Sequence, residues 1–104
     1  MLVFYTTFHF SNQTYENGLN YLRTTVLPAI GQHTEFHTLR LQRILHEAEE
    51  GNGGSLSIQF CVSDEETLCH WLQTTGADLL QTVTEKYGIE AAYFSTLLEE
   101  LELK

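Results

Sequence analysis

The stretch that decides the fold is LVFYTTFHF at residues 2–10, which contains no charge, glycine or proline. Its even positions form an apolar row interrupted only by Thr6: Leu2, Phe4, Phe8 and Phe10. Alternation of this kind predicts a β-strand with one face in the core. The odd positions form a second row that is only half polar: Val3, Tyr5, Thr7 and His9. A strand face open to water is normally more polar, so we ask what covers the second row.

A helix is predicted after this strand by an apolar stripe at helical spacing: Tyr15, Leu19, Leu22 and Val26. Ser11 or Asn12 is expected to cap it, because either side chain can accept a hydrogen bond from an exposed backbone N–H. Pro28 disfavours helical geometry at the preceding residue. The helix is therefore expected to kink or stop at Leu27.

Two further strands follow, joined by a glycine-rich stretch at residues 49–54 that suits a hairpin turn. The second strand is predicted from Phe36 to about Ala48, with leucines on one side. Arg43 interrupts the leucine row, which we explain by a bulge or an exposed strand end. The third strand shows the cleanest alternation in the chain, with these residues inward: Leu56, Ile58, Phe60 and Val62.

The second helix is predicted to begin with a capping box formed by Ser63 and Glu66. One apolar face supports it: Leu68, Leu72, Leu79 and Val83. Gly76 is an internal weak point, and Gly88 is expected to end the helix in the left-handed conformation. Residues 90–98 read as a final strand, which the acidic end could extend.

The order is strand, helix, strand, strand, helix, strand, with no linker within residues 1–104. Right-handed crossovers and one hairpin then predict an α+β, ferredoxin-like βαββαβ fold. In this fold a four-stranded antiparallel sheet carries two helices on one face. At this length we expect a single domain, 1–104.

The other face of the sheet, called the open face below, is expected to be poor in charge. Its predicted residues are Tyr5, Thr7, His9, Arg40, Gln42, Ile44, Gln59, Cys61 and either Tyr93 or Phe94. Aromatic, charge-poor surfaces are typical of subunit contacts, so we expect a homodimer formed face to face. The alternative is an open face exposed to water. Replacing Thr7 with Glu should split such a dimer.

Composition narrows the classes of partner. Five basic against fourteen acidic residues give a net charge of −9, which makes nucleic acid and anionic membranes poor partners. Cys61 and Cys69 have no metal-binding or disulfide spacing and are expected to be buried free thiols in the cytoplasm. No stretch approaches the roughly 20 apolar residues that span a bilayer, and the N-terminal pattern argues against a signal peptide.

Catalytic and metal motifs are weak. His33 and His37 are four residues apart, but HTEFH departs from the zinc-protease pattern because its Glu is third rather than second. We therefore predict no metal site and no cofactor. Cys61 could act as a nucleophile only beside a base or cation, and no sequence feature provides one. The glycines at residues 51–54 lack the following helix that a phosphate-binding loop requires.

Five segments carry a resemblance over nearly the whole chain: LVFYTTFHF, VLPAI, LRLQRIL, SIQFCVSDEE and YFSTLLEEL. The chain resembles a group of short bacterial proteins known as a domain of unknown function, which are similar to the dimeric α/β-barrel class. The resemblance implies a homodimer with two sheets back to back, sometimes with the last strand reaching over the partner. The wider class includes cofactor-independent monooxygenases, small isomerases and ligand-sensing modules, so the fold alone does not choose a function.

Two functional hypotheses follow. The first is a small cytoplasmic homodimer that binds a small molecule, either between sheet and helices or between two sheets, through Tyr5, His9, Arg40 and Gln59. The alternative is a cofactor-independent monooxygenase or isomerase that uses the same four side chains, with no catalytic role assigned to any of them. An enzyme should show a cavity on the order of a few hundred Å³ with convergent polar groups. A regulatory module of a larger complex should instead leave an apolar patch exposed after dimerisation.

Overall fold

A computed structural model describes residues 1–45 and 53–103 of the chain. Four strands are present: β1 (Leu2–Phe10), β2 (Phe36–Arg43), β3 (Gly54–Val62) and β4 (Ala91–Glu99). The helices are α1 (Tyr15–Tyr21), α2 (Leu27–Gly31), α3 (Glu65–Gln73) and α4 (Thr75–Tyr87). A π-helical turn at Leu22–Val26 joins α1 to α2, and a 3₁₀ turn at Gly88–Glu90 follows α4.

The strands form one sheet in the order β2-β3-β1-β4, and every neighbouring pair is antiparallel. With the helical segments between β1 and β2 and between β3 and β4, this is the ferredoxin-like arrangement. The predicted fold class is therefore confirmed. The predicted extension of the second strand to Ala48 and most of the hairpin at residues 49–54 lie outside the described residues.

The core lies between the sheet and the helices and is built on the apolar rows predicted from sequence. Seven inward strand residues expose 5% or less of their surface: Phe4, Phe8, Phe10, Leu56, Ile58, Phe60 and Val62. Phe60 is central, because its ring centroid lies 4.3 Å from that of Phe36 and 5.6 Å from those of Phe4 and Trp71. Aromatic packing at such distances adds to the stabilisation from apolar burial.

A bulge near the start of β2 sets the faces of that strand. His37 pairs with Cys61 and Arg40 pairs with Gln59, so β2 holds one residue more than β3 between these pairs. Thr38, at the bulge, has a φ of 55°. The extra residue allows Phe36 to reach the core from the same side as Leu39 and Leu41.

Of the two explanations for Arg43, the bulge is therefore wrong and the exposed strand end is confirmed, because Arg43 is exposed and is the last residue of β2. Arg43 pairs with Leu56, an inward residue, so its side chain lies on the helix side of the sheet. Its Nε donates a hydrogen bond of 2.8 Å to the Tyr15 hydroxyl, and its guanidinium lies 6.0 Å from the Tyr15 ring centroid. The Arg43 guanidinium, which interrupts the row of leucines, is thus stabilised by its contact with Tyr15 at the edge of the core.

The first helix begins and bends differently from expectation. Neither Ser11 nor Asn12 caps it: Thr14 occupies the N-cap position, and the Asn12 Oδ1 accepts instead from the Gly53 N–H at 2.7 Å. Leu27 stays helical, so the helix does not stop before Pro28. The π-helical turn at Leu22–Val26 widens the helix ahead of the proline, which lacks an N–H and crowds the preceding turn.

The second helical segment is divided at Thr74, whose φ and ψ of −120° and −101° are not helical. Asp64, not Ser63, is the N-cap of α3, since its carboxylate accepts from the Thr67 N–H at 2.8 Å. Gly76 packs against the indole of Trp71, where a Cβ would approach ring carbons within 2.8 Å. Gly88 ends α4 with a positive φ of 57°, as predicted, but its ψ of −131° lies outside the left-handed helical region, so the predicted conformation is wrong.

Candidate functional site

Three of the four predicted ligand-binding residues lie in one row across the open face. Strand pairing places Arg40 opposite Gln59, Gln59 opposite Tyr5, and Tyr5 opposite Thr96. Each side chain in this row ends in a polar group, and Arg40 is exposed while Tyr5 and Gln59 are half-buried. We call Arg40, Gln59, Tyr5 and Thr96 the polar row.

His9 lies on the same face but two rows away. It is paired with Ser55 and Ala92, and its Nδ1 is 2.9 Å from the Ser55 Oγ. The strand register therefore separates His9 from the polar row by the row that contains Thr7. The structure thus brings Tyr5, Gln59 and Arg40 together and sets His9 apart on the same surface.

The open face is apolar toward β4. Phe94 pairs with Thr7 and Leu98 pairs with Val3, and these two side chains expose 59% and 47% of their surface. Tyr93 lies on the helix side, where its ring centroid is 6.1 Å from that of Phe8. Phe94 is therefore the aromatic residue of β4 that the open face carries.

Thr7 itself is only 5% exposed and lies between Ser57 and Phe94 in the strand pairing. A glutamate at this position would disturb the sheet as well as an interface. The substitution of Thr7 proposed from sequence is consequently a poor test of dimerisation, and Phe94 is a better position.

The space between sheet and helices is nearly filled. A void of about 20 Å³ remains there, lined by apolar side chains together with Thr6 and Gly76. The Thr6 hydroxyl is 2.8 Å from that of Ser95. Trp71 borders this void, and its buried Nε1 has no hydrogen-bond partner within residues 1–45 and 53–103. A volume of this size has room for about one water molecule.

Sequence reasoning missed an open groove of about 680 Å³ at the start of α3. Two imidazoles and three carboxylates line it beside Trp71: His33, His70, Glu35, Asp64 and Glu66. His33 Nδ1 lies 3.5 Å from Glu35 Oε1. No local spacing predicts this groove, because His33 and Glu35 precede β2 whereas the other residues belong to the start of α3.

One carboxyl group of the groove, that of Asp64, caps the helix α3. The backbone N–H of Thr67, and then its side chain, hydrogen-bond to Asp64 and hold the pKa of that carboxyl below its usual value.

The part of the chain that the structure describes contains no group of three or more His, Cys, Asp or Glu side chains placed to hold a metal ion. His37 does not line the groove with His33, because it lies on β2 and pairs with Cys61 on the open face.

The two cysteines lie on opposite layers and both are free thiols. Cys61 is half-buried on the open face, between Val3 and His37 in the strand pairing. Cys69 is exposed on α3, so the expectation that both thiols are buried is wrong for Cys69. Among the described helices, none is long and apolar enough to cross a membrane.

Solved structures share this fold at low sequence identity. A candidate antibiotic biosynthesis monooxygenase from Deinococcus radiodurans has a TM-score of 0.74 and 14% identity, covering 100% of this chain and 96% of its own. A protein of the ethyl tert-butyl ether D (EthD) family from Bacillus halodurans has a TM-score of 0.71 and 14% identity, covering 97% and 100%. A dimeric ferredoxin-like protein from an uncultured marine organism has a TM-score of 0.57 and 15% identity, covering 98% and 97%. At these identities the similarity establishes the fold.

Comparison with curated proteins gives no significant match. The profile of a domain of unknown function, DUF4286, matches residues 1–101. This match covers all four strands and both helical segments, as the resemblance from sequence implied. The chain therefore belongs to the DUF4286 family.

Proposed function

We propose that this chain is a small, single-domain cytoplasmic homodimer whose two copies pack through the open faces of their sheets. The composition of that face carries the proposal. Its described strand positions include Arg40 but no acidic residue, although the chain has fourteen Asp and Glu. Depletion of charge together with exposed aromatic side chains characterises the centres of subunit interfaces.

Two further observations support this assembly. Ile44 continues β2 on the same face, where its N–H donates to the Ser55 carbonyl at 3.0 Å and 40% of its surface is exposed. With Phe94 and Leu98 at the opposite side of the sheet, apolar groups border the polar row on both sides. A ferredoxin-like protein of similar fold is itself dimeric, which supports a dimeric state for this chain.

The dimer would enclose Tyr5, His9, Arg40 and Gln59 between the two sheets, and we propose that these residues bind a small molecule there. Two copies of the chain are required for such a site, since a single sheet face forms only one side of it. We expect neither nucleic acid nor a membrane as partner, because a net charge of −9 opposes both. The free thiols suit the reducing cytoplasm.

The alternative, a cofactor-independent monooxygenase or isomerase, is less well supported. A substrate-sized site needs a cavity on the order of a few hundred Å³. The void between sheet and helices measures about 20 Å³. Its lining is apolar except for the Thr6 hydroxyl and the Trp71 indole N–H, and none of the four predicted residues contributes to it. Among the described residues, the space between sheet and helices therefore has no room for a substrate, and the larger groove at the start of α3 contains none of the four predicted residues.

Light scattering on two matched variants tests the proposed dimer. Phe94→Glu places a charge on the open face, whereas Ile89→Glu makes the same change at a fully exposed position after α4. We expect wild type and Ile89→Glu to have twice the chain mass of 11.9 kDa and Phe94→Glu to have the monomer mass. A dimer that survives Phe94→Glu unchanged, or a monomeric wild type, would contradict the proposal.

A further inference from the structure

We propose that β4 is a second contact surface of this protein, at which two copies pair their β4 strands antiparallel and continue the sheet from one copy into the other. This contact lies at the edge of the sheet, so it goes beyond the open-face dimer and does not depend on it. Its starting point is the position of β4, which is an outermost strand in the order β2-β3-β1-β4.

The backbone of β4 has hydrogen-bonding groups on its outer side. At the two ends of the β1–β4 ladder, the Ser11 N–H donates to the Glu90 carbonyl at 3.0 Å and the Glu100 N–H donates to the Met1 carbonyl at 3.1 Å. In an antiparallel ladder only every second pair of residues exchanges hydrogen bonds. The even-numbered residues of β4 therefore bond to β1. The outward backbone groups belong to the odd-numbered residues, which include Tyr93, Ser95 and Leu97.

β4 lacks the features that normally keep an edge strand from pairing. The other edge strand, β2, carries two arginines and a bulge at Thr38, and both charge and bulges oppose the addition of a further strand. In contrast, β4 keeps one register with β1 throughout, contains no proline, and has its only charge at Glu99. Four of its apolar side chains expose between 39% and 59% of their surface: Tyr93, Phe94, Leu97 and Leu98. A regular, apolar edge of this kind is a site for strand pairing.

A second copy fits this edge because β4 is complementary to itself. If the twofold axis passes through Ser95, this residue pairs with its own copy and Tyr93 pairs with Leu97 of the second copy. Symmetry repeats the Tyr93–Leu97 contact, so these two exposed side chains on the helix side become cross-strand neighbours twice. Directly opposed aromatic and aliphatic side chains stabilise antiparallel strands.

Charge favours the antiparallel orientation. Acidic residues end the strand and follow it: Glu99, Glu100 and Glu102. In the register centred on Ser95, Glu99 lies opposite Ala91 of the second copy, so the acidic ends of the two copies are far apart. Parallel pairing would place like carboxylates side by side, which is destabilising.

We expect the edge contact to be weaker than the open-face dimer. It involves one strand from each copy, whereas stable interfaces bury at least about 1,200 Å². In the proposed dimer each copy retains its β4 edge, so edge pairing would join dimers to one another at high protein concentration. At the lower concentrations used for light scattering, the dimer mass is still expected.

Disulfide trapping tests this contact, because a cross-link captures weak pairing. Ser95→Cys is made in a chain whose native thiols are removed by Cys61→Ser and Cys69→Ser. Residues opposed in a hydrogen-bonded pair have Cα atoms about 5.5 Å apart, a separation that a disulfide spans. Ile89→Cys in the same background is the control, since residue 89 is fully exposed but the two copies would hold it at opposite ends of the contact. Under mild oxidation Ser95→Cys should cross-link at least about tenfold faster than Ile89→Cys.

A proline separates strand pairing from other kinds of contact. The Leu97 N–H points outward and does not bond to β1, so Leu97→Pro removes a donor of the edge contact and leaves the β1–β4 ladder intact. Added to the Ser95→Cys chain, Leu97→Pro should reduce cross-linking to the rate of Ile89→Cys. Leu97→Val, which keeps the N–H and an apolar side chain, should retain the fast rate.

The outcomes separate this inference from the proposed function. Ser95 lies on the helix side of the sheet, where its hydroxyl is 2.8 Å from that of Thr6, so a cross-link there would not form through the open face. Equal rates for Ser95→Cys and Ile89→Cys would overturn the edge contact and leave the open-face dimer to its own light-scattering test. Fast cross-linking that survives Leu97→Pro would also overturn it, because the contact would then not be strand pairing. If Leu97→Pro fails to fold, the comparison of Ser95→Cys with Ile89→Cys decides alone.

Discussion

Gly18 of α1 lies directly against the ring of Phe10, and a Cβ at residue 18 would come within 2.7 Å of three ring carbons. Phe10 is fully buried and its ring centroid lies 5.2 Å from that of Tyr87, so it has little room to move. The glycine thus fixes how closely the first helix approaches the sheet. Glycine is a poorer helix former than alanine, and its presence at residue 18 is explained by this close packing against Phe10.

Gly18→Ala should therefore destabilise the protein even though alanine is the better helix former. The gain in helix propensity is about 1 kcal/mol, whereas overpacking of a rigid core typically costs about 1–3 kcal/mol. We expect a net loss of up to about 2 kcal/mol in the free energy of unfolding, measured by urea denaturation. Gly31→Ala is the matched control, since its Cβ would meet only Leu39 Cδ2 at an ordinary 3.6 Å. Equal stability of the two variants would show that Phe10 does not constrain the helix.

The N-cap of α3 gives a second prediction, because sequence and structure name different residues. Asp64→Ala should lower the melting temperature, since the Thr67 N–H loses its acceptor. Ser63→Ala should leave the melting temperature nearly unchanged. A larger effect at Ser63 than at Asp64 would restore the capping box predicted from sequence.

The same carboxylate predicts a dependence on acid. Hydrogen bonds from Thr67 lower the Asp64 pKa below its ordinary value of 3.8 in the folded chain. Its contribution to stability is therefore complete above pH 3.8 and is lost as the pH falls through the lowered value. The difference in melting temperature between wild type and Asp64→Ala should shrink over this acidic range. A difference that is constant down to the most acidic pH would contradict the assignment.

Tyr87 predicts the opposite dependence, at alkaline pH. Burial, followed by the proximity of Tyr21, raises the Tyr87 pKa above its ordinary 10.0, and the hydroxyl lies 2.6 Å from Asn17 Oδ1. The neutral form is favoured in the folded state, so stability should fall as the pH rises above 10.0. Tyr87→Phe should cost about 1 kcal/mol near neutrality, through loss of the hydrogen bond, and should weaken the alkaline decline. Tyr93→Phe, at an exposed tyrosine, is the control and should retain that decline.

Much of the fold could be predicted because its two apolar periodicities are local. The apolar residues of β1 and β3 lie in the core as their alternation predicts, and Leu19, Leu22 and Val26 are buried on one side of the first helical segment. Arg43 marks the exposed end of β2, and the bulge lies earlier in the strand, where the sequence does contain a signal for it. Phe36 has the opposite parity to Leu39 and Leu41, so an extra residue between them was needed for all three to reach one side.

The break at Thr74 and the groove beside Trp71 could not be predicted, because both depend on contacts between distant segments. Gly76 was recognised as a weak point, but its close contact with the Trp71 indole emerges only in three dimensions. The residues of the open face can be predicted from sequence, since alternation alone assigns Tyr5, Arg40 and Gln59 to one side of the sheet. Their exact pairing across three strands required the register that the bulge sets.

The most direct test of the central claim uses the two native thiols as reporters of the two faces. Cys61 lies on the open face and Cys69 on exposed α3. Maleimide labelling followed by mass spectrometry should be measured over a dilution series that crosses the dimer dissociation constant found by light scattering. If a second copy covers the open face, Cys61 labelling should accelerate on dilution while Cys69 labelling stays constant. A labelling rate at Cys61 that is independent of protein concentration in a chain that does dimerise would contradict pairing through this face.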